Sequence, residues 1–206
     1  MKKIIIPSII AKNQEELDER IKKVKDHASL LQLDVMDGKF VKGRSFDFNF
    51  KLPKGKYEMQ LMVKDPEEWI KKHGNKADVI IPSLEGCKYT DKIIKLIKQK
   101  RKKVGLAINP ETSVDKIKKY LAKIDQVTVM TVHPGSYGAR FLPNTLEKVR
   151  ELRRLKPKLN IEVDGGIKLN TIKKARDAGA NLFVCGSYIQ KSKDAKKAIE
   201  MLKERL

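Results

Sequence analysis

Two aspartates carry the clearest chemistry in this sequence. Asp34 lies in the run Gln32-Leu33-Asp34-Val35-Met36-Asp37-Gly38, and Asp164 precedes the glycine pair in Glu162-Val163-Asp164-Gly165-Gly166. Each follows a short apolar stretch of strand character and stands where that stretch ends. Two carboxylates facing each other across a pocket can take a proton from one face of a carbon and return it to the other. An aspartate at a strand end is also a common turn cap, and that plainer reading suits Asp37, which precedes Gly38. Gln32 lies two residues before Asp34, so strand alternation turns both side chains to one side. Gln60, one strand further on, can join them.

Glycines form a second constellation. His133-Pro134-Gly135-Ser136-Tyr137-Gly138, Gly165-Gly166 and Gly186-Ser187 each follow an apolar run, and the three runs are consecutive. Glycine turns let backbone N–H groups approach an anion closely, so three in succession point to a bound phosphate. A single Gly pair would mark only a turn.

The elements that must position these residues alternate along the chain. Strand candidates are residues 3–7, 30–34, 57–62, 78–82, 103–108, 126–130, 160–163 and 182–185. Most are too short and too uniformly apolar for a half-exposed sheet, which suits parallel strands buried on both faces. Helix candidates are residues 14–25, 66–73, 91–100, 114–122, 143–155, 171–178 and 195–205, with Asn13, Asp65, Ser113, Asn170 and Asp194 as capping residues. Eight strands with interposed helices predict a single (β/α)8 TIM barrel over residues 1–206, with chemistry at the C-terminal ends of the strands. One unit is defective. Residues 38–56 lack helical periodicity, so the second barrel helix is expected to be shortened or missing.

Length and composition limit the alternatives. A chain of 206 residues can bury a full core without disulfides or a structural metal. Cys87 and Cys185 are far apart and form no C-x-x-C pair, which predicts reduced thiols and a cytoplasmic protein. No stretch approaches the ~20 apolar residues of a membrane span. The formal charge of +20 raises a nucleic-acid role, but the lysines recur on every helical segment without interleaved aromatics. Solvated helix faces explain them better, and a positive field also steers an anionic substrate.

Taken together, these motifs resemble the ribulose-phosphate 3-epimerase family. The similarity runs through Pro7-Ser8-Ile9-Ile10, Leu33-Asp34-Val35-Met36-Asp37-Gly38-Lys39-Phe40-Val41, Gln60-Leu61-Met62, Val129-Met130-Thr131-Val132-His133-Pro134-Gly135 and Glu162-Val163-Asp164-Gly165-Gly166-Ile167. It implies a barrel of the ribulose-phosphate-binding type. It also implies interconversion of D-ribulose 5-phosphate and D-xylulose 5-phosphate at C3, with Asp34 and Asp164 as the acid–base pair. Ser8 would touch the substrate, Met36, Met62 and Met130 would line the pocket around the reacting carbons, and Gly135, Gly138, Gly165, Gly166, Gly186 and Ser187 would hold the phosphate. Homo-oligomers are common among similar proteins and are expected here.

The departures from the family pattern bear on the metal. Family members carry His at the positions of Gln32 and Gln60, and those imidazoles join the two aspartates around a divalent ion. Ser83 replaces a further family His, Tyr137 replaces a glycine where it would narrow the phosphate loop, and Arg140 is placed to reach the phosphate. A glutamine offers only a neutral amide oxygen, which a borderline metal such as zinc does not prefer. Two expectations follow. Either Asp34 and Asp164 hold a hard ion such as Mg²⁺ or Mn²⁺, or no metal binds and the amides of Gln32 and Gln60 donate to the enediolate oxygens of the substrate. Competing functions are a non-catalytic or substrate-shifted phosphosugar binder, which the lost histidines favour, and a decarboxylase on the same fold. Gln60-Leu61-Met62-Val63-Lys64-Asp65 lacks the Asp-x-Lys-x-x-Asp pattern usual in the related decarboxylases.

Overall fold

The computed structural model describes residues 1–135 and 138–206. The strands are β1 (Ile4–Ile9), β2 (Leu31–Asp37), β3 (Arg44–Ser45), β4 (Tyr57–Met62), β5 (Val79–Pro82), β6 (Lys103–Ile108), β7 (Gln126–Met130), β8 (Asn160–Asp164) and β9 (Leu182–Cys185). Hydrogen bonding runs β1-β9-β8-β7-β6-β5-β4-β2, and β1 pairs again with β2. Eight parallel strands therefore close into a (β/α)8 barrel, as expected. β3 is a two-residue antiparallel spur on β2, with Met36 opposite Ser45.

Both faces of the strands are buried, but with different partners. Outward residues such as Leu33, Met59, Leu61, Leu106, Val129, Ile161 and Phe183 join one large core beneath the helices. Inward apolar residues form smaller groups, among them Ile6 with Leu182 and Val184, and Val79 with Ile81 and Ala107. Each fully buried side chain of this size stabilises the fold by roughly 1.5–3 kcal/mol.

The helices are α1 (Gln14–Val24), α2 (Glu67–His73), α3 (Thr90–Gln99), α4 (Asp115–Lys118), α5 (Leu146–Leu155), α6 (Ile172–Ala178), α7 (Ser187–Gln190) and α8 (Ala195–Lys203). Of the expected caps, Asn13 and Asp194 accept from the Glu16 and Lys197 amides, both at 2.9 Å. Asp65, Ser113 and Asn170 each stand one residue before the cap position, which Pro66, Val114 and Thr171 occupy with no side-chain cap hydrogen bond. The helix expected over 114–122 is short, because i→i−3 bonds such as Lys123 N to Tyr120 O tighten its second half into successive turns. The turn α7 escaped the sequence reading; four residues are too few to show a period. No helix among the described residues is long and apolar enough to cross a membrane.

Between β2 and β4 there is no helix, as anticipated. Aromatic side chains fill the gap. Phe46, Phe48 and Phe50 pack with ring centroids 5.2–6.0 Å apart, and Phe50 stacks on His73 at 5.2 Å. Phe46 and Phe50 are almost wholly buried, so this segment closes the barrel flank with rings instead of a helix.

Candidate active site

Strand parity puts a polar column inside the barrel. Gln32 and Asp34 on β2, Glu58 and Gln60 on β4, Gln126 and Thr128 on β7, and Glu162 on β8 are all buried, with Asp164 beside them at the mouth. In the upper layer Gln32 is the junction. Its Nε2 donates to Asp34 Oδ1 at 2.7 Å, to Gln60 Oε1 at 2.7 Å and, more distantly, to Asp164 Oδ2 at 3.3 Å. Gln60 turns its own Nε2 towards Met130 Sδ, 2.9 Å away. The lower layer was not foreseen. There Gln126 donates to Glu162 at 3.0 Å and to Glu58 at 3.4 Å, and Thr128 donates to Glu162 at 2.7 Å. The parity of Glu58 with Gln60, and of Glu162 with Asp164, was the available signal.

Burial dominates the electrostatics. Loss of solvation pushes Asp34 up to about 6, against hydrogen bonds from Gln32 and Ser8 that favour its charge. Asp164 is raised well above the ordinary range, first by burial and then by the charges of Asp34 and Glu162. Glu58 is pushed up to about 7 and Glu162 is also raised, again mainly by burial. Asp37 behaves differently. Burial works against its charge, but the Phe40, Lys64 and Lys39 amides, each 2.8 Å away, outweigh it and hold the carboxyl below its usual value. It is a turn cap.

A cavity of roughly 840 Å³ opens at the C-terminal ends of the strands. Asp34 and Asp164 line it from strands three places apart in the ring, together with Ser8, Met36, Met62 and Met130. Met36 and Met62 cluster with Val41, backed by Ile10 and Phe40, as an apolar wall. Gly135, Gly138, Gly165, Gly166, Gly186 and Ser187 line it after β7, β8 and β9. Gly165 and Gly166 have φ of +118° and +64°, and a Cβ on Gly165 would come within 2.4 Å of Val132, so only glycine fits this turn.

Two expectations meet a different placement. Gln32 and Gln60 are wholly buried beneath the cavity and do not line it, and the Gln32 amide hydrogens are directed at neighbouring acceptors, not offered to a substrate. Arg140 is exposed and outside the lining, so its expected phosphate contact finds no support. Tyr137 lies outside the described residues. The sequence reading also missed the rim, where Lys12, Lys42 and Arg44 add positive charge and Arg44 pairs with Asp47 at 3.3 Å. Nothing in their spacing singled them out among so many surface cations.

The residues do not fit a resident divalent ion. An ion bridging Asp34 and Asp164 would compete for the carboxylate oxygens that Gln32 Nε2 faces, and an N–H₂ group is no ligand. Gln60 Oε1 already accepts from Gln32, and Gln32 Oε1 is buried without a partner. Neither amide oxygen is free beside the two carboxylates.

Residues 4–190 match the Ribulose-phosphate 3 epimerase family. The chain is 34% identical to the ribulose-phosphate 3-epimerase of Bacillus subtilis, with 97% of each chain covered. It is 31% identical to that of Escherichia coli, covering 98% of this chain and 96% of the relative. Among solved structures, 3-keto-L-gulonate-6-phosphate decarboxylase from Vibrio cholerae superposes with a TM-score of 0.75 at 14% identity, covering 100% and 97% of the two chains, which speaks for the fold alone. The chain belongs to the ribulose-phosphate 3-epimerase family and is an isomerase of the epimerase kind.

Proposed function

We propose that the chain interconverts D-ribulose 5-phosphate and D-xylulose 5-phosphate by proton transfer at C3 between Asp34 and Asp164. The observation that carries this reading is that the two carboxyls line one cavity from separate sides of the ring and share one amide donor. The ketose lies with its phosphate against the glycine turns after β7, β8 and β9 and its C3–H between the carboxyls. The ionised carboxyl removes the C3 proton, and the electron pair moves into the C2–C3 bond as the C2 carbonyl becomes an enediolate. The protonated carboxyl delivers its proton to the opposite face of C3, giving the epimer and exchanging the roles of the two acids. Their raised pKa values support such a shared proton, since two buried like charges cannot both ionise at neutral pH. Met36, Met62 and Met130 keep water from the reacting carbons.

The test is solvent-deuterium exchange into ribulose 5-phosphate. Label at C3 of both ketoses is expected. No label from this sugar under any condition would sink the reading. One variation has a specific observation behind it: Lys12 and Lys42 on the rim, beside the Arg44–Asp47 pair, favour a ketose with a second anionic group. Exchange with a ketose bisphosphate, compared with the monophosphate, decides it. The free thiols Cys87 and Cys185 suit a reducing compartment such as the cytoplasm.

A further inference from the structure

We infer that Gln32, braced by Gln60, stands in the place of a divalent ion, so that the two carboxyls are held by an internal amide and epimerisation needs no metal. This rests on the two-carboxylate reading above and deepens it. A bridging cation would do two things: fix Asp34 and Asp164 at a set distance, and offset their mutual repulsion. The N–H₂ of Gln32 meets the first requirement through hydrogen bonds to Asp34 at 2.7 Å and Asp164 at 3.3 Å, and the single proton kept by the pair meets the second. The amide's orientation is dictated by its neighbours. Three oxygens, on Asp34, Asp164 and Gln60, surround one terminus of Gln32, and an amide oxygen at that terminus would face the ionised carboxylate and the Gln60 oxygen with only the single proton of the aspartate pair to donate. The cost of this arrangement is visible at the other terminus, where Oε1 is buried with no partner. Gln60 completes the brace, accepting from Gln32 while its own N–H₂ rests on the Met130 thioether.

Gln32 does not line the cavity, so it acts through the aspartates as a positioning residue. An imidazole pair at positions 32 and 60 would instead direct ring nitrogen lone pairs at the space between the carboxylates, the chemistry that selects a transition metal. The sequence difference therefore exchanges one means of holding the dyad for another.

The experiment uses the whole protein purified without chelator, beside Gln32→His/Gln60→His and Gln32→Leu variants. Two readouts are taken: Co²⁺ binding by calorimetry and visible absorption, and deuterium exchange at C3 of ribulose 5-phosphate before and after chelation. The native protein should bind no stoichiometric Co²⁺, and its exchange rate should change by less than about twofold on chelation. The double-histidine variant should bind one Co²⁺, and its exchange should become sensitive to chelator. Gln32→Leu should lose at least about a hundredfold in kcat with a smaller change in KM, as expected when an acid–base pair is misaligned. Stoichiometric Co²⁺ on the native protein that is lost in Asp164→Asn, or exchange abolished by chelator and restored by Mn²⁺ or Mg²⁺, would overturn the inference. Absence of exchange with and without metal would fall on the substrate reading instead, and the Co²⁺ titration of the native protein would still decide the question of the ion.

Discussion

Glu162 and Asp164 stand two residues apart on β8, with Glu162 at 0% exposure in the layer beneath Asp164. The lower layer cannot be fully ionised. Glu58 Oε1 is buried without a hydrogen-bond partner, a hydrogen bond joins the Glu58 and Glu162 carboxyls, and the two share a single amide from Gln126. A proton held between Glu58 and Glu162 satisfies both, and its presence makes the pH dependence of stability predictable.

All four carboxyls in this column have folded-state values above their unfolded ones, with Asp34 at about 6 and Glu58 at about 7. The contribution of Asp34 and Glu58 is fully present below the unfolded values, near pH 4, and is lost as pH rises through about 6 to 7, and Asp164 and Glu162 act in the same direction. The protein should therefore unfold at lower urea concentration at pH 8 than at pH 5. Glu58→Gln, which keeps the shape and removes the charge, should flatten that slope and recover on the order of 2 kcal/mol at pH 8. Stability that climbs between pH 5 and 8 would contradict it.

The reaction should show its own pH limits. Below about 6 Asp34 takes up a proton and the pair has no base left, so kcat/KM falls as pH drops. At high pH Asp164 loses the proton it must deliver, and the rate declines again above its raised value. The two limbs belong to the pair as a unit. A profile that stays flat well below 6 removes Asp34 from the base role.

Asp34→Asn and Asp164→Asn should each lower turnover by about 10²–10⁴-fold with native circular dichroism, the range expected for loss of a general acid or base. KM should move much less, since the phosphate end of the cavity is untouched. A variant of either kind that keeps more than about a tenth of the native rate is incompatible with a two-carboxylate transfer.

Gly166→Ala tests the turn after β8. The residue has φ of +64°, and the added carbon would sit 2.9 Å from the Phe141 backbone nitrogen. The strain, about 1–3 kcal/mol, should fall on this turn. KM for the phosphorylated ketose is expected to rise more than kcat falls. Gly138→Ala, whose nearest neighbour would be 3.9 Å away, should be milder despite φ of +81°.

Much of this could be read from residue order. The uniformly apolar runs announced strands buried on both faces, because a parallel strand inside a ring of helices has no wet side. Residues 38–56 announced a missing helix, because their apolar residues follow no 3.6-residue period. The fill by Phe46, Phe48 and Phe50 was less legible, since ring packing depends on where the segment lands on the barrel flank.

The amino-acid sequence by itself determined the barrel, the two aspartates at its mouth and the glycines of the last three turns, because these follow from local patterns along the chain. Tertiary structure alone decided what the glutamines do. Whether Gln32 faces substrate, ion or carboxylate depends on which strands the closed ring brings together, and β2, β4 and β8 surround its amide with acceptors contributed from 28 and 132 residues away. The pairing of Glu58 with Glu162 was decided in the same way, by ring closure, which no local period records.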